Sequence, residues 1–166
     1  MDEKGQEVPE GEIGDLMLKS DSLTPYYWNQ HEKTKQILQG EWCKTGDKFY
    51  RDSDGYYWYA GRSDDMIKVG GIWVSPAEVE ATLRGHEAVL ESAVVGHPDE
   101  NQMIKPKAFV VLKKGFEPSS QLAEELKLFV KNKIAPYNYP RWVEFVENLP
   151  KTATGKIQRY KLRQSK

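Results

Sequence analysis

The order of elements predicts an α+β fold, a small sheet with packed helices, preceded by a mostly β segment. Three observations carry this. Two hairpin signals stand close together before residue 75, a fully capped helix follows, and from Met66 onward the succession reads hairpin, helix, strand, strand, helix, strand. The 166 residues, 39% of them hydrophobic, suffice for one ordinary domain or two small ones.

Residues 1 to 11, "MDEKGQEVPEG", are polar and offer little to bury, so they read as a loose leader, with order starting near Ile13. "GDLMLKS" is a short strand, "NQHEKTKQIL" a helix with Asn29 as N-cap, and "GEWCKTGD" an irregular connection. The aromatic runs "KFYR" and "YYWYAGR" form a hairpin around "DSDG", whose Asp54-Gly55 pair is a turn signal. "MIKV" and "IWV" form a second one, meeting at Gly70-Gly71. In "SPAEVEATLRG", Ser75 is the N-cap, Pro76 takes the first helical position, Glu78 closes a capping box and Gly85 stops the helix. "VLESAVVG" and "KAFVVL" are strands separated by "HPDENQ". A helix over Ser120 to Lys133 carries the stripe Leu122, Leu126, Phe129 and Val130, and "RWVEFVENLP" is a last strand. The stretch "GRSDD", residues 61 to 65, is the expected boundary, giving domains of residues 1–61 and 62–166.

Lysine and arginine number 24 against 25 aspartates and glutamates, which removes any whole-chain case for binding nucleic acid or an anionic membrane. The single cysteine, Cys43, cannot form an internal disulfide, and no signal pattern opens the chain. No apolar run approaches the roughly 18 residues of a membrane span. A cytoplasmic location is the expectation.

Three stretches bear chemistry. "PKTATGKIQR", residues 150 to 159, ends in a glycine-lysine pair similar to that of a phosphate-binding P-loop, but Ile157 replaces the magnesium-holding hydroxyl and Pro150 the first glycine. Against a functional Lys156 stands a solvated basic tail of Lys151, Lys156, Arg159, Lys161 and Arg163. In "TGD", residues 45 to 47, Asp47 could accept hydrogen bonds from two ribose hydroxyls, or simply cap a turn. "DSDG" lacks the twelfth-position glutamate of a calcium loop, having Ser63 there, and reads as a turn. "GRSDDMIKVGGIWVSPAEVE", residues 61 to 80, combines hairpin, glycine turn and capped helix within twenty residues.

Taken in order, "GEIGDLMLKS", "TGD", the 61–80 stretch and "PKTATGKIQR" resemble the carboxyl-terminal third of the adenylate-forming superfamily: acyl-CoA and aryl-CoA ligases, peptide synthetase adenylation domains and luciferases. The resemblance runs from about Gly11 to Arg163. It implies a mobile C-terminal domain over 62–166, preceded by the end of a large N-terminal domain. It also implies activation of a carboxylic acid by ATP with Mg2+ to an acyl-adenylate, then transfer to the thiol of coenzyme A, with the small domain rotating between the two half-reactions. On this resemblance Asp47 binds the ribose hydroxyls and Arg62 the ribose or phosphates. Asp64 is the hinge. Lys68, Gly70 and Gly71 lie on the thioester-forming face, Gly71 being the stronger candidate, and Lys156 is the adenylation lysine.

The chain contains no phosphate loop and none of the large domain that holds ATP and the acyl pocket, so it is expected to be a fragment, inactive alone, whose partners include that missing domain. Trp73 stands where many acetate-type members carry arginine, and "GGIWVSP" is more similar to benzoate and other aryl-CoA ligases. Two alternatives remain at this level. One is a peptide synthetase adenylation domain. The other is a nucleic-acid-binding module in which Tyr56, Tyr57, Trp58 and Tyr59, near Arg51 and Arg62, stack bases.

Overall fold

In the computed structural model, which describes residues 1–164, the chain divides into two units, Met1–Asp64 and Asp65–Lys166. The first is built on β3 (Trp42–Arg51), the common antiparallel partner of β1 (Gly14–Leu18), β2 (Leu38–Gln39) and β4 (Tyr57–Arg62). The stretch read as an irregular connection is therefore most of a ten-residue strand. Gly46, at φ +78°, explains why it does not look like one. There the register with β1 slips between Asp15↔Lys48 and Met17↔Lys44, so the apolar alternation is broken in sequence while pairing continues in space.

Helix α1 (His31–Ile37) is shorter than expected, and Asn29 is not its cap. Asn29 takes φ +53° one residue before the N-cap position, Gln30, which makes no side-chain capping bond. The leader is not loose throughout: Asp15 N–H donates to the Met1 carbonyl at 2.8 Å, Gly11 N–H to the Arg51 carbonyl at 2.9 Å, and Asp2 Oδ1 accepts from the amides of Lys4 and Gln6. The "DSDG" turn is organised by Asp52, which accepts from the amides of Asp54 and Tyr56 and from the Trp58 indole at 2.6 Å.

The second unit opens with the hairpin of β5 (Ile67–Val69) and β6 (Ile72–Val74), followed by α2 (Pro76–Arg84). Strands β7 (Val89–Pro98), β8 (Ile104–Leu112) and β9 (Trp142–Phe145) form its sheet, with β7 antiparallel and β9 parallel to β8. The parallel step follows from α3 (Ser120–Lys133), which intervenes between β8 and β9. Ser75 and Ser119 cap α2 and α3 as N-cap acceptors of the Glu78 and Leu122 amides.

Period-two alternation in β7 and β8 supplies two cores. Val94, Ala108 and Val110 pack with Val79, Leu83, Leu126 and Val130 of α2 and α3. Ala93, Val95 and Phe109 point the other way and pack with Leu149, Ile157 and Leu162. The second cluster holds a helix absent from the expected elements, α4 (Arg159–Gln164), which is short and basic but buries Leu162. The last strand is correspondingly short, ending at Phe145.

Candidate functional site

In the first unit, Asp47 and Arg62 are cross-strand partners on β3 and β4. The Arg62 Nη1 lies 3.4 Å from Asp47 Oδ1, and its Nε lies 3.6 Å from Asp64 Oδ1. The left-handed φ favours glycine at Gly46, and a Cβ there would stand 3.2 Å from Arg62 Nη2, the far end of a flexible side chain. A carboxylate has about four acceptor sites, so the one long contact to Arg62 leaves Asp47 capacity for two adjacent hydroxyls.

Beneath this pair lies a buried charge cluster. Asp15 is 8% exposed and Lys48 4%, and Asp15 meets Lys48 Nζ and Lys44 Nζ at 3.1 Å each and accepts from Ser63 Oγ at 2.9 Å. Burial pushes the Asp15 carboxyl up, but the hydrogen bonds from the two lysines and Ser63 outweigh it and hold the carboxyl below its ordinary range.

In the second unit, the β5–β6 hairpin turns at Gly70 (φ +57°) and Gly71 (φ +90°). A Cβ at either would meet nothing within 4 Å. The backbone sign therefore selects glycine here, and the surrounding space is open. Lys68 pairs with Trp73 across the hairpin, its Nζ 5.1 Å from the indole.

Lys156 sits in a closed loop. Lys151 and Ile157 form an antiparallel bridge, Thr152 N–H donates to the Lys156 carbonyl at 2.8 Å, Gly155 N–H to the Thr152 carbonyl at 2.9 Å, and Lys156 N–H to Thr152 Oγ1 at 3.1 Å. Gly155 makes the turn at φ +82°. Leu149 before the loop and Ile157 and Leu162 after it fasten its stem to the sheet. The basic tail is not uniformly solvated. Lys151 meets Glu91 at 2.7 Å, Arg159 meets Glu80 at 2.8 Å and Asp65 at 3.3 Å, and Arg163 meets Asp65 at 2.7 Å. Lys156 is exposed and meets no carboxylate among the described residues.

The structure thus brings Asp47, Arg62 and Asp64 together in one unit, and holds Lys68, Gly70 and Gly71 on a hairpin and Lys156 on a separate loop of the other. Sequence reasoning missed Asp65, Glu80 and Arg159. Glu80 carried a signal. It falls with Pro76, Val79 and Leu83 on the buried side of α2, and a carboxylate in an apolar stripe demands a partner. Burial pushes the Glu80 carboxyl up, against the pull of Arg159 and of the Val94 amide, which donates to it at 2.8 Å. Among the described residues no group of three or more His, Cys, Asp or Glu converges as a metal site, and no helix is long and apolar enough to cross a membrane.

Residues 78–156 match the AMP-binding enzyme C-terminal domain. The chain is similar to a benzoate–CoA ligase of Thauera aromatica, 57% identical over 98% of this chain and 31% of that protein. A 4-hydroxybenzoate–CoA/benzoate–CoA ligase of Rhodopseudomonas palustris is 49% identical over 98% of the chain and 30% of its own length. Among solved structures, an anthranilate CoA ligase, AuaEII, in complex with anthranoyl-AMP superposes with a TM-score of 0.87 at 57% identity, covering 98% of this chain and 31% of that one. The chain therefore spans about a third of the length of these relatives.

Proposed function

We propose that this chain is the carboxyl-terminal portion of an adenylate-forming enzyme whose full-length parent is an AMP-forming ligase that joins an aromatic carboxylic acid such as benzoate to coenzyme A. In the first half-reaction a carboxylate oxygen attacks the α-phosphorus of ATP, forming an O–P bond as the bond to the β-phosphate breaks and pyrophosphate leaves. In the second, the thiol sulfur of coenzyme A attacks the acyl carbon, its proton is lost, and AMP departs with the electrons of the C–O bond.

The observation that carries the reading is the setting of Lys156, an exposed ammonium in a closed, anchored loop whose neighbouring cations Lys151, Arg159 and Arg163 are bound to carboxylates. Two anions must approach each other in adenylation. A compact ammonium placed between the carboxylate and the α-phosphate offsets that repulsion most where charge is redistributing. Asp47 would accept from the ribose hydroxyls, and Arg62, set beside it, would direct its guanidinium to the ribose or a phosphate. Mg2+ would arrive on the phosphates of ATP, outside the residues of this chain. Lys68 and the Gly70-Gly71 turn would face the pantetheine arm after a rotation at Asp64. We assign Met1–Asp64 to the end of the large nucleotide-holding domain and Asp65–Lys166 to the mobile domain, which shifts the expected boundary from residue 61 to residue 64, and we assign the parent to the cytoplasm.

The test is exchange of labelled pyrophosphate into ATP by the full-length parent across a panel of acids. Benzoate-dependent exchange followed by benzoyl-CoA on adding coenzyme A is expected. Exchange with no aromatic acid would remove the substrate assignment, and a thioester formed without AMP release would remove the reaction class.

A further inference from the structure

Of the three residues in "TGD", the ligase reading uses only the last, and the structure gives the first a task of its own. In β1 the amide and the carbonyl of Asp15 both pair with Met1, on the edge away from β3. Alternation along the strand then turns the amide and carbonyl of the next residue, Leu16, toward β3. Continuing the register from Asp15↔Lys48 would set Leu16 against Asp47, with the Asp47 amide donating to the Leu16 carbonyl. That pair is split. Pairing resumes at Met17↔Lys44, so Thr45, Gly46 and Asp47 stand against Leu16 alone. The Thr45 hydroxyl occupies the break: Oγ1 donates to the Leu16 carbonyl at 3.0 Å and accepts from the Asp47 amide at 3.1 Å.

The rest of the bulge is fixed around this bridge. The Gly46 carbonyl accepts from the Ser63 amide at 2.8 Å, and Lys48, 4% exposed, meets Asp15 at 3.1 Å. Asp47 keeps a side chain 30% exposed, beside Arg62. A bulge re-aims the residue that leaves the ladder, so the direction of the Asp47 carboxylate depends on what closes the gap. Without the hydroxyl, the Asp47 amide and the Leu16 carbonyl lose their shared partner, and the glycine between Thr45 and Asp47 offers little resistance to a shift. Threonine suits the place because its branched Cβ restricts χ1 and holds the hydroxyl in one direction.

We propose that Thr45 is a positioning residue for nucleotide choice: by bridging Leu16 and Asp47 it holds the Asp47 carboxylate in the setting that accepts from both hydroxyls of a ribose, and so makes the site prefer a ribonucleotide to a deoxyribonucleotide. The proposal rests on the ligase reading for its nucleotide, while the bridge itself belongs to this chain and is measured on it.

Amide hydrogen exchange on the chain tests the bridge without any chemistry. Thr45→Val, which keeps the shape and removes the hydroxyl, should speed exchange at the Asp47 amide by about tenfold or more, with the amides paired between β7 and β8 unchanged. Thr45→Ser, which keeps the hydroxyl, should stay within about threefold of wild type. Should Thr45→Val fail to fold, Thr45→Ala also lacks the hydroxyl and is read the same way. An Asp47 amide as protected in these variants as in wild type would overturn the bridge. In the full-length parent, carboxylate-dependent pyrophosphate exchange is compared with ATP, 2′-deoxy-ATP and 3′-deoxy-ATP. Wild type should favour ATP by about tenfold or more in kcat/KM, and Thr45→Val should bring that preference several-fold closer to one, through KM for ATP, with Thr45→Ser restoring it. A merely structural loss would lower the rate with all three nucleotides in proportion. An unchanged preference in Thr45→Val, or none in wild type, would overturn the positioning role. A parent without carboxylate-dependent exchange would refute the ligase reading, and the Asp47 amide would still decide on the bridge.

Discussion

Asp15 organises a buried charge cluster in the first unit, since the carboxylate that orders Lys44, Lys48 and Ser63 is almost wholly buried. Replacing it by asparagine leaves Lys48 buried beside a neutral group, at a cost of about 3–5 kcal/mol. Its folded pKa lies below the ordinary 3.8, so the stabilisation is complete above about pH 3.8 and is lost as pH falls through the folded value. Denaturant titrations of wild type and Asp15→Asn should therefore differ fully at pH 7 and converge well below pH 3.8; a constant difference would detach the effect from this carboxyl. At Gly46 the prediction is sharper in space. Alanine there must adopt φ +78° with its Cβ 3.2 Å from the Arg62 guanidinium, destabilising by about 1–3 kcal/mol, read as a lowered Tm. The motif residues were legible singly, because lysine after glycine and aspartate after glycine are local patterns. Their partners were not, because Asp15 with Ser63, or Asp65 with Arg159, are 48 and 94 positions apart.

The elements divide along the same line. Helices α2 and α3 and the β5–β6 hairpin were readable because capping serines, an apolar stripe and a Gly-Gly turn are all short-range signals. Strand β3 was hidden by the bulge at Gly46, and α4 by its charge: five basic or polar residues surround one buried leucine, and only contact with the sheet reveals what Leu162 does. Leu162→Ala should cost about 2–5 kcal/mol and loosen the lysine loop with α4, visible as faster exchange at Thr152 and Lys156. Equal exchange would mean that the loop holds itself. The glycine turn gives a separate test. In the parent, Gly71→Leu places a side chain at φ +90° on the proposed thioester face, so thioester formation should fall while pyrophosphate exchange persists. Loss of both in proportion would remove that face from the assignment.

For the whole molecule, the two units carry different parts of one proposed cycle: the ribose-binding pair in the first, the thioester hairpin and adenylation lysine in the second. The α+β architecture was legible from the order of hairpins, helices and strands. Its second layer, with α4 and the lysine loop on the sheet face opposite α2 and α3, was not, because a basic tail looks alike whether docked or solvated. The chain alone should fold yet form no acyl-adenylate, which a radiolabelled ATP assay with benzoate would detect. The most direct test replaces Lys156 by alanine in the full-length parent and measures the half-reactions separately. Pyrophosphate exchange should drop by about 10² to 10³, with thioester formation from supplied acyl-adenylate retained. Exchange at near wild-type rate would contradict the assignment and return Lys156 to an exposed lysine of no catalytic role.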